Sequence, residues 1–419
     1  MDRPHVVIVG AGLAGGTAAA TLREDGFSGA ITLVGAEARP PYNRPPLSKE
    51  YLRGEARFED QLVRPEAYYA EQSIELAVGR RVTAVDAGRK TVELDDGRRL
   101  SYDRLLVTTG GRNRTISTPG ADLAGILPLR TVEESDRIRE AARGRGRAAV
   151  VGLGFIGSEV AASLRQLGVE VVAVDPNPAP LSRVLGPEVG GVLADIHREH
   201  GVELHLDDSV EAFEGTGRVA RVRTRKGRVL DCDWVVTGMG IVPNGELLAA
   251  AGAAVDNGIL VDALCRTSLP DVYAAGDVAN HLHPTFGRLR VEHWNNALHQ
   301  GRAAARALQG RGAAYDYVHT FWSNQYEHTV EYVGFAARWD RLVIRGRLDG
   351  RAFLAFYLQD GIVRAAMGLD RGGDPEAPEG HGELKAAVRL VRQKIPVDPA
   401  LLADESVDLS RLAPEPAST

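Results

Sequence analysis

The feature that most constrains the fold of this chain is an internal repeat of a glycine-rich segment. Residues 5–37 and residues 148–175 each contain a hydrophobic strand, a glycine turn, an alanine-rich helix and a second strand. The two glycine turns begin at Gly10 and Gly152, which are 142 residues apart. Because this separation is too long for the period of a solenoid, it predicts two similar domains in series.

Both repeats carry glycines at the spacing of a dinucleotide-binding turn, namely Gly10, Gly12 and Gly15 in the first and Gly152, Gly154 and Gly157 in the second. Such glycines allow a tight turn, close approach of the backbone to a pyrophosphate and close packing of the helix on its strand. The N-terminus of the helix then offers backbone N–H groups to the phosphates. The sequence therefore predicts two dinucleotide sites.

An acidic residue closes the second strand of each repeat, Glu37 in the first and Asp175 in the second. Asp175 follows Gly157 by 18 residues, close to the spacing of about 20 at which an acid accepts hydrogen bonds from an adenosine ribose. No lysine or arginine follows Asp175 until Arg183, so a 2′-phosphate would meet a carboxylate without a nearby cation. This pattern favours NADH over NADPH at the second site.

The texture of the sequence changes after about residue 318. Before it, helices alternate with short β-branched strands, which indicates an α/β fold. After it, aromatic residues concentrate and alternating strands follow one another, which predicts an antiparallel sheet with a terminal helix near residues 383–394. We expect the final stretch, residues 409–419, to be a loosely held tail.

Composition excludes several classes of protein. The formal charge of -6 argues against nucleic-acid binding. No apolar run approaches the length of a membrane-spanning helix, and Gly10 leaves no room upstream for a signal peptide, so we expect a soluble, unexported protein. The two cysteines, Cys232 and Cys265, lie 33 positions apart, which excludes a disulfide scaffold, a zinc ribbon and a self-contained iron–sulfur protein.

Neither the cysteines nor the histidines indicate a metal site. Both cysteines are interpreted as small buried hydrophobic residues, Cys232 on a strand and Cys265 before the segment AAGD. Two histidine pairs, His281 with His283 and His197 with His200, have no carboxylate or cysteine ligand set beside them in the sequence. We therefore predict no bound metal.

Seven short segments occur in a fixed order, namely RPPLSK (44–49), YDRLLVTTGG (102–111), LRT (129–131), GxGxxGxE (152–159), GxGxxPN (238–244), AAGD (274–277) and FWSNQY (321–326). In these segments the chain resembles the NADH-dependent, FAD-containing ferredoxin reductases of bacterial oxygenase systems, the putidaredoxin reductase-like group. The resemblance covers essentially the whole chain. It implies an α/β fold with two Rossmann-like dinucleotide-binding domains of the glutathione-reductase type and a C-terminal α+β domain.

The resemblance also implies domain boundaries. Residues 1–112 and 243–318 would form the two parts of an FAD-binding domain, and residues 113–242 would form the NAD-binding domain between them. Residues 319–419 would form the C-terminal domain.

For the FAD site, the resemblance implies a pyrophosphate held by the first glycine turn, a ribitol bound by Asp277 and a flavin near Trp294. Either the Glu37 side chain or the backbone at Ala36 would contact the FAD ribose. Related reductases often carry an acid at the position of Ala36, and we favour Glu37. The remaining residues implied for this site are Ala14, Arg44, Lys49, Val82, Thr109, Gly110 and Arg130.

For the NAD site, the resemblance implies contacts along the second glycine turn and helix, with Phe155, Ile156, Asp175, Arg183 and Gly240 around it. Glu159 would pair with Lys49 beside flavin N5. This pair is the predicted catalytic element, because a preorganised ion pair in a dry site stabilises the charge that shifts as hydride arrives.

The implied activity is electron transfer from NADH through FAD to a small [2Fe–2S] ferredoxin that serves a cytochrome P450 or a ring-hydroxylating dioxygenase. The hydride would go to flavin N5, and one-electron steps would follow. The segment RPPLSK lacks the cysteine of dithiol reductases and NADH peroxidases. Three alternatives remain: a rubredoxin reductase, a disulfide-independent NADH oxidase, and a redox-sensing flavoprotein like the apoptosis-inducing factors. We expect a cytoplasmic monomer.

A basic segment suggests how an acidic ferredoxin could be attracted. Residues 338–371 contain seven arginines and four aspartates. This excess could form a basic rim near Trp322 that steers the carrier by long-range attraction. A solvated sheet face without a partner is the alternative. Arg345 and Arg347 are the arginines that we expect to lie on the rim.

Overall fold

A computed structural model of the chain describes residues 3–115, 117–377 and 382–413. The α-helices, numbered in chain order, are α1 (Leu13–Glu24), α2 (Glu50–Arg53), α3 (Glu66–Glu71), α4 (Val132–Arg143), α5 (Phe155–Gln166), α6 (Ser182–Glu199), α7 (Glu246–Ala250), α8 (Trp294–Leu308), α9 (Glu383–Gln393) and α10 (Pro399–Ala403). Helix α6 is kinked at Gly186, whose φ of 80° is followed by Pro187.

The first thirteen strands are β1 (His5–Val9), β2 (Ala30–Gly35), β3 (Ile74–Val78), β4 (Val82–Asp86), β5 (Thr91–Leu94), β6 (Arg99–Ser101), β7 (Arg104–Val107), β8 (Gly111–Asn113), β9 (Ile126–Pro128), β10 (Arg147–Val151), β11 (Glu170–Val174), β12 (Val202–His205) and β13 (Val210–Glu214). The others are β14 (Arg221–Thr224), β15 (Val229–Asp231), β16 (Trp234–Thr237), β17 (Ile241–Pro243), β18 (Ile259–Val261), β19 (Val272–Ala274), β20 (Ala279–His283), β21 (Gly287–Arg290), β22 (Thr320–Gln325), β23 (His328–Gly334), β24 (Arg341–Arg347), β25 (Ala352–Gln359) and β26 (Ile362–Leu369).

The chain forms two compact units. The first unit contains Met1–Arg44, Arg57–Arg112 and Ile241–Tyr317, and the second contains Pro45–Ala56, Asn113–Gly240 and Val318–Thr419. The boundaries that the sequence suggests at residues 112, 242 and 318 stay a prediction about domains.

The first unit is built on a parallel sheet with the strand order β19-β7-β1-β2-β3. Strand β1 lies in the middle of the sheet, and its run Val6–Val9 is almost fully buried, as expected of a parallel strand covered on both faces. Helix α1 connects β1 to β2. Two three-stranded sheets, β4-β5-β6 and β18-β20-β21, complete the unit.

The second unit repeats this plan. Its parallel sheet has the order β12-β11-β10-β16-β9, and helix α5 connects the central strand β10 to β11. A three-stranded antiparallel sheet, β13-β14-β15, belongs to the same unit. The two parallel sheets explain the sequence repeat, because each glycine turn lies at the carboxyl end of a central strand.

The C-terminal residues of the second unit form the predicted antiparallel sheet, in the order β22-β23-β26-β25-β24. Its apolar face packs on α6, where Phe353, Tyr357 and Met367 share a core with Leu185 and Val189. Helix α9 lies over the predicted range. The fold class, two Rossmann-like domains with a C-terminal α+β domain, is confirmed.

The expectation of a loose tail from residue 409 was wrong for its first part. Leu409 and Ala413 are buried, and Leu409–Arg411 form a short 3-10 helix capped by the Asp408 side chain. The Ala413 carbonyl accepts a hydrogen bond from Arg389 Nε at 3.0 Å. The buried side chains of Leu409 and Ala413 are enough to hold this segment. The polar and proline-rich composition of residues 409–419 does not reveal these contacts in the sequence. Residues 414–419 lie outside the described residues.

Among the described residues, no helix has both the length and the apolar composition needed to cross a bilayer.

Candidate functional site

The first glycine turn has the shape that a pyrophosphate requires. A Cβ on Gly10, whose φ is +116°, would lie 2.2 Å from the Thr108 carbonyl oxygen, and a Cβ on Gly15 would lie 2.0 Å from the Gly10 oxygen. Gly12, which precedes α1, has no atom within 4 Å of its Cβ position. Two glycines therefore permit close packing inside, while the third leaves open space at the helix N-terminus.

The segment AAGD lies directly beside this turn. A Cβ on Gly276 would lie 3.0 Å from the Ala14 Cβ, and the Gly276 N–H donates to Gln300 Oε1 at 2.8 Å. Asp277 follows on a short 3-10 turn. The structure thus places Gly276, the residue before Asp277, against Ala14 in the first turn of α1, and the resemblance implied FAD contacts for both Ala14 and Asp277.

Glu37 and Arg44 pair with each other at the end of β2. Arg44 Nη2 lies 2.5 Å from Glu37 Oε1, and the Tyr42 hydroxyl donates to Glu37 Oε2. Burial lowers the pKa of Arg44, but Tyr42, Glu37 and Asp277 together hold this pKa above its ordinary value. Ala36 is exposed beside them. Which of the two, Glu37 or the Ala36 backbone, contacts a ribose stays a prediction.

The structure gives the surroundings of the other predicted FAD residues in the first unit. Trp294 Nε1 donates to Asn43 Oδ1 at 2.8 Å. The Thr109 hydroxyl donates to the Asn244 carbonyl oxygen at 2.8 Å, and Gly110 has a φ of +59°. Val82 is buried at the start of β4.

Sequence reasoning missed Tyr42, Asn43 and His293. Tyr42 and Asn43 directly precede RPPLSK, so the motif read two residues further upstream would have included them. His293 precedes α8, and burial lowers its pKa to about 4 even though Asp277 raises it. This imidazole is therefore neutral near pH 7.

The second glycine turn repeats the geometry of the first. A Cβ on Gly157 would lie 1.8 Å from the Gly152 oxygen, whereas Gly154 and Gly240 have no atom within 4 Å of their Cβ positions. Ile156 is 40% exposed, and Phe155 packs edge-on against Phe321 with 4.5 Å between ring centroids. The open glycines leave room for a nucleotide at the N-terminus of α5.

The Asp175 carboxylate holds the turn itself. Its Oδ2 accepts from the Leu153 N–H at 2.5 Å, and its Oδ1 accepts from the Asn177 N–H at 2.8 Å and from Asn177 Nδ2 at 2.7 Å. Arg183, the first cation after Asp175 in the sequence, contacts the neighbour of this acid, since Arg183 Nε lies 3.4 Å from Asn177 Oδ1. The start of α6 lies close to the segment that follows β11, and this places Arg183 against Asn177.

Lys49 and Glu159 form an ion pair inside the second unit. Lys49 Nζ lies 3.2 Å from Glu159 Oε2, and the two side chains are 6% and 5% exposed. The Ser48 hydroxyl also donates to Oε2, and the Ser323 hydroxyl donates to Oε1 at 2.8 Å. The carboxylate is dry, charged and held from several sides, which is the arrangement that electrostatic stabilisation of a shifting charge requires.

Lys49 and Arg130 belong to the second unit, whereas the other predicted FAD residues belong to the first. Arg130 is half-buried. It directly precedes Thr131, the N-cap residue of α4, which forms a capping box with Glu134. The roles of all these site residues in binding stay predictions.

Both thiols are buried. Burial raises the pKa of Cys232 and of Cys265 to about 12, so neither forms a thiolate at neutral pH. Cys232 directly follows β15 rather than lying on it. The cysteines are suited to packing and not to redox chemistry.

In the described parts of the chain, no group of three or more histidine, cysteine or acidic side chains is placed to hold a metal ion. The sequence shows no carboxylate beside the pair His197 and His200. The fold supplies one, because the Glu327 carboxylate lies 3.3 Å from His200 Nε2.

One of the two arginines expected on the basic rim, Arg345, does not lie on the surface. Arg345 is 3% exposed and donates to Glu383 Oε1 at 2.6 Å and to backbone carbonyls such as that of Val407 at 2.8 Å. Arg347 is exposed but pairs with Asp349. The interpretation of Arg345 as a docking residue was therefore wrong, because the strand turns this side chain inward.

Comparison with known proteins agrees with this geometry. Residues 4–301 match the family model described as pyridine nucleotide-disulphide oxidoreductase. This chain belongs to that family. Residues 320–413 match a second model, described as reductase C-terminal. The two glycine turns lie within the first match, and the C-terminal antiparallel sheet lies within the second.

The chain is similar to ferredoxin reductases over nearly its whole length. It is 38% identical to putidaredoxin reductase of Pseudomonas putida, with 97% of this chain and 96% of the relative covered. It is 40% identical to the ferredoxin–NAD(+) reductase component of the anthranilate 1,2-dioxygenase system of Burkholderia cepacia, with 98% and 99% covered.

Among solved structures, the chain is similar to the reductase in a covalent complex of putidaredoxin reductase with putidaredoxin. The TM-score is 0.92, the identity is 37%, and 98% of each chain is covered. The resemblance to this group of reductases is confirmed, and the cofactors of the chain are FAD and NAD(H). The open helix N-termini behind Gly12 and Gly154 fit the pyrophosphates of both.

Proposed function

We propose that this protein transfers electrons from NADH through FAD to a small [2Fe–2S] ferredoxin that serves a cytochrome P450 or a ring-hydroxylating dioxygenase. The observation that carries the proposal is the similarity over nearly the full length, C-terminal domain included, to a reductase solved together with its ferredoxin. The buried thiols support it, because they leave no dithiol to carry electrons.

FAD, when bound, would supply the chemistry that connects a two-electron donor, NADH, to a one-electron acceptor. The residues of the chain bind and orient. Gly12 and Gly154 open two helix N-termini to phosphates, and Lys49 with Glu159 supplies a fixed ion pair from which water is excluded. Hydride transfer is mainly a positioning problem, so these roles are sufficient.

The protein is further proposed to act as a cytoplasmic monomer. Residues 1–112 and 243–318 would bind FAD, residues 113–242 would bind NADH, and residues 319–419 would form the third domain. The absence of a bilayer-spanning helix among the described residues is compatible with this proposal.

Stopped-flow spectroscopy tests the function. NADH is mixed anaerobically with the yellow holoprotein, and a [2Fe–2S] ferredoxin is then added. We expect rapid loss of flavin absorbance, followed by ferredoxin reduction at two equivalents per NADH, with slow oxygen consumption in air.

Each alternative predicts a different result. Rapid oxygen reduction without a carrier would indicate an NADH oxidase, and a strong preference for rubredoxin would indicate a rubredoxin reductase. A long-lived complex with NAD that dimerises and turns over slowly would indicate a redox-sensing flavoprotein. Any of these three results would replace the proposed function.

A further inference from the structure

Glu159 is held at both carboxylate oxygens, and the two oxygens have different partners. Lys49 Nζ and the Ser48 hydroxyl contact Oε2. Within the described residues, Oε1 accepts a hydrogen bond from Ser323 alone, at 2.8 Å. We propose that Ser323 is a positioning residue that orients the Glu159 carboxylate toward Lys49 for the hydride step. This inference rests on the proposed function.

The direction of the Ser323 hydrogen bond is fixed by its neighbour. Gln325 lies two residues along β22, on the same face, and its Nε2 donates to Ser323 Oγ at 3.3 Å. Because Oγ already accepts from this amide, its single proton is left for Glu159. Ser48 is less constrained, since its hydroxyl also lies 3.2 Å from the Pro45 carbonyl oxygen. Ser323 is therefore the donor without a competing acceptor.

The surroundings of Ser323 make this hydrogen bond strong. Ser323 is fully buried and Gln325 is 1% exposed. Behind Gln325 lies His197, and burial lowers the pKa of this imidazole to about 4, so it is neutral at pH 7. Lys49 thus supplies the positive charge that contacts Glu159, while Ser323 supplies a neutral donor on the other oxygen. Hydrogen bonds to an ionised group are worth more than neutral ones.

Removal of the Ser323 hydroxyl would leave Oε1 buried without a donor. The carboxylate could then rotate away from Lys49 to regain a partner, which would misalign the ion pair and slow hydride transfer. Binding of the nucleotide would not change, because the glycine turn and Asp175 hold it elsewhere on α5 and β11.

The test compares Ser323→Ala and Ser323→Cys with Asn324→Ala. Cysteine has the same branching as serine, with a somewhat larger terminal atom, but its S–H donates only weakly. Asn324 lies on the same strand with its side chain bonded to Thr329 Oγ1 at 3.0 Å, so its replacement also removes one hydrogen bond. Two quantities are measured, the rate of flavin reduction at saturating NADH and the equilibrium Kd of the oxidised holoprotein for NAD+.

We expect both Ser323 variants to reduce flavin about tenfold more slowly, the typical effect of one hydrogen bond to a charged group. Their Kd for NAD+ should stay within about twofold of that of the parent protein. Asn324→Ala should change neither quantity by more than about twofold.

Several results would overturn the proposal. A reduction rate in Ser323→Ala within about twofold of the parent rate would show that the hydroxyl does not position Glu159. Equal losses in rate and NAD+ affinity, or loss of folded holoprotein in both Ser323 variants, would assign Ser323 a structural role. Glu159→Gln separates this inference from the proposed function. If this variant reduced flavin at the parent rate, the ion pair would have no role in the hydride step, and the inference would fail while the proposed function would stand.

Discussion

At the scale of single residues, the acids that end the second strand of each repeat have partners that differ in kind. Asp175 accepts from backbone and side-chain N–H groups around its own glycine turn, whereas Glu37 pairs with Arg44 and Tyr42. Asp175 therefore holds its own glycine turn, whereas Glu37 belongs to an ion pair. The consequences of removing the acid should therefore be sharpest at Asp175.

Replacement of Asp175 by alanine should shift the coenzyme preference. We expect the parent protein to use NADH at least tenfold better than NADPH in kcat/KM, which requires only about 1.4 kcal/mol of discrimination. Asp175→Ala would lose the predicted ribose contact and the predicted repulsion of a 2′-phosphate, so NADH use should fall more than NADPH use. Steady-state kinetics with both coenzymes measure the ratio.

Asn177→Ala is the matched control for this experiment, since it removes one side-chain donor to Asp175, keeps the backbone N–H donor and leaves the carboxylate in place. Its coenzyme ratio should stay within about threefold of the parent ratio. An unchanged ratio in Asp175→Ala would remove this acid from ribose recognition and leave it a purely structural role in the turn.

Replacement of Asp277 should separate the two cofactor sites. Asp277 follows Gly276, which lies against Ala14 at the first glycine turn, so Asp277→Ala should weaken FAD binding by at least about tenfold, the loss of one hydrogen bond to a charged acceptor. NAD+ binding should be retained, because its glycine turn is in the other repeat. Fluorescence titration of the apoprotein with FAD measures the first quantity, and NAD+ titration measures the second.

Asp86→Ala serves as the control for Asp277→Ala. Asp86 is an acid of the same unit that pairs with Arg89 on the surface, and its loss should leave the Kd for FAD unchanged. Equal weakening of FAD and NAD+ binding in Asp277→Ala would contradict the assignment of this residue to one site.

At the scale of elements, strand β24 shows how a charged residue can anchor a chain terminus. Val343 and Arg345 are two residues apart and therefore lie on the same face of the strand, and both are buried. The guanidinium of Arg345 donates to Glu383 on α9 and to carbonyls between residues 402 and 407. Five N–H donors in a planar fork suit such a cluster of oxygens.

Arg345→Met should destabilise this end of the second unit. It leaves several buried carbonyls without a donor, so we expect the free energy of unfolding to fall by about 3 to 5 kcal/mol, as for other broken buried pairs. Arg347→Met, two residues along, should change it by less than about 0.5 kcal/mol, because its pair with Asp349 is exposed.

Denaturant unfolding measures both variants of β24, and limited proteolysis shows whether residues 399–413 become cleavable. Similar stability of Arg345→Met and Arg347→Met would mean that the carbonyls around Arg345 find other donors.

At the scale of the whole molecule, electrostatic steering of a ferredoxin depends on exposed cations that form no ion pair within the protein. Arg351 pairs with Glu199 and Arg371 pairs with Glu383 and Glu405, which neutralises much of the basic segment. Arg338 and Arg341 are exposed, and neither forms an ion pair with another described residue. They are exposed cations of this segment that a negatively charged partner can approach, whereas Arg364, which also has no ion pair with a described residue, is only partly exposed.

Electron transfer to an acidic ferredoxin should slow as ionic strength rises from about 0.01 to 0.15 M, where the Debye length shrinks from about 30 to 8 Å. The double variant Arg338→Glu with Arg341→Glu should show the same slowing at low salt, while Arg347→Glu should not. Reduction of the flavin by NADH should barely change in any case. Stopped-flow measurements of the two steps separate these effects.

Insensitivity of the carrier step to both salt and the double variant would place ferredoxin docking elsewhere or make it mainly apolar. Equal slowing by Arg347→Glu would show that the total charge of the segment determines the rate, and not the charges of Arg338 and Arg341 in particular.

The sequence alone predicted the two glycine turns, the parallel sheets around them, the C-terminal antiparallel sheet and the pairing of Lys49 with Glu159, the last through the resemblance. The turns were predictable because the sterics of a close backbone approach allow only glycine at Gly10 and Gly15. These constraints act over a few residues, so they are visible in the order of amino acids. The strands were predictable for the same reason, since their alternation and β-branching are local properties.

Only the tertiary structure determined which polar groups form hydrogen bonds and ion pairs with one another. It turned Arg345 inward, brought Arg183 to within reach of Asn177, packed residues 409–413, and placed Ser323 on the free oxygen of Glu159. The contact of Arg183 with Asn177 spans only six positions, but most of the others join residues far apart in the sequence, and Glu159 and Ser323 are separated by 164 positions. Which partner a buried polar group finds depends on the packing of distant elements, and no local preference of the chain encodes it.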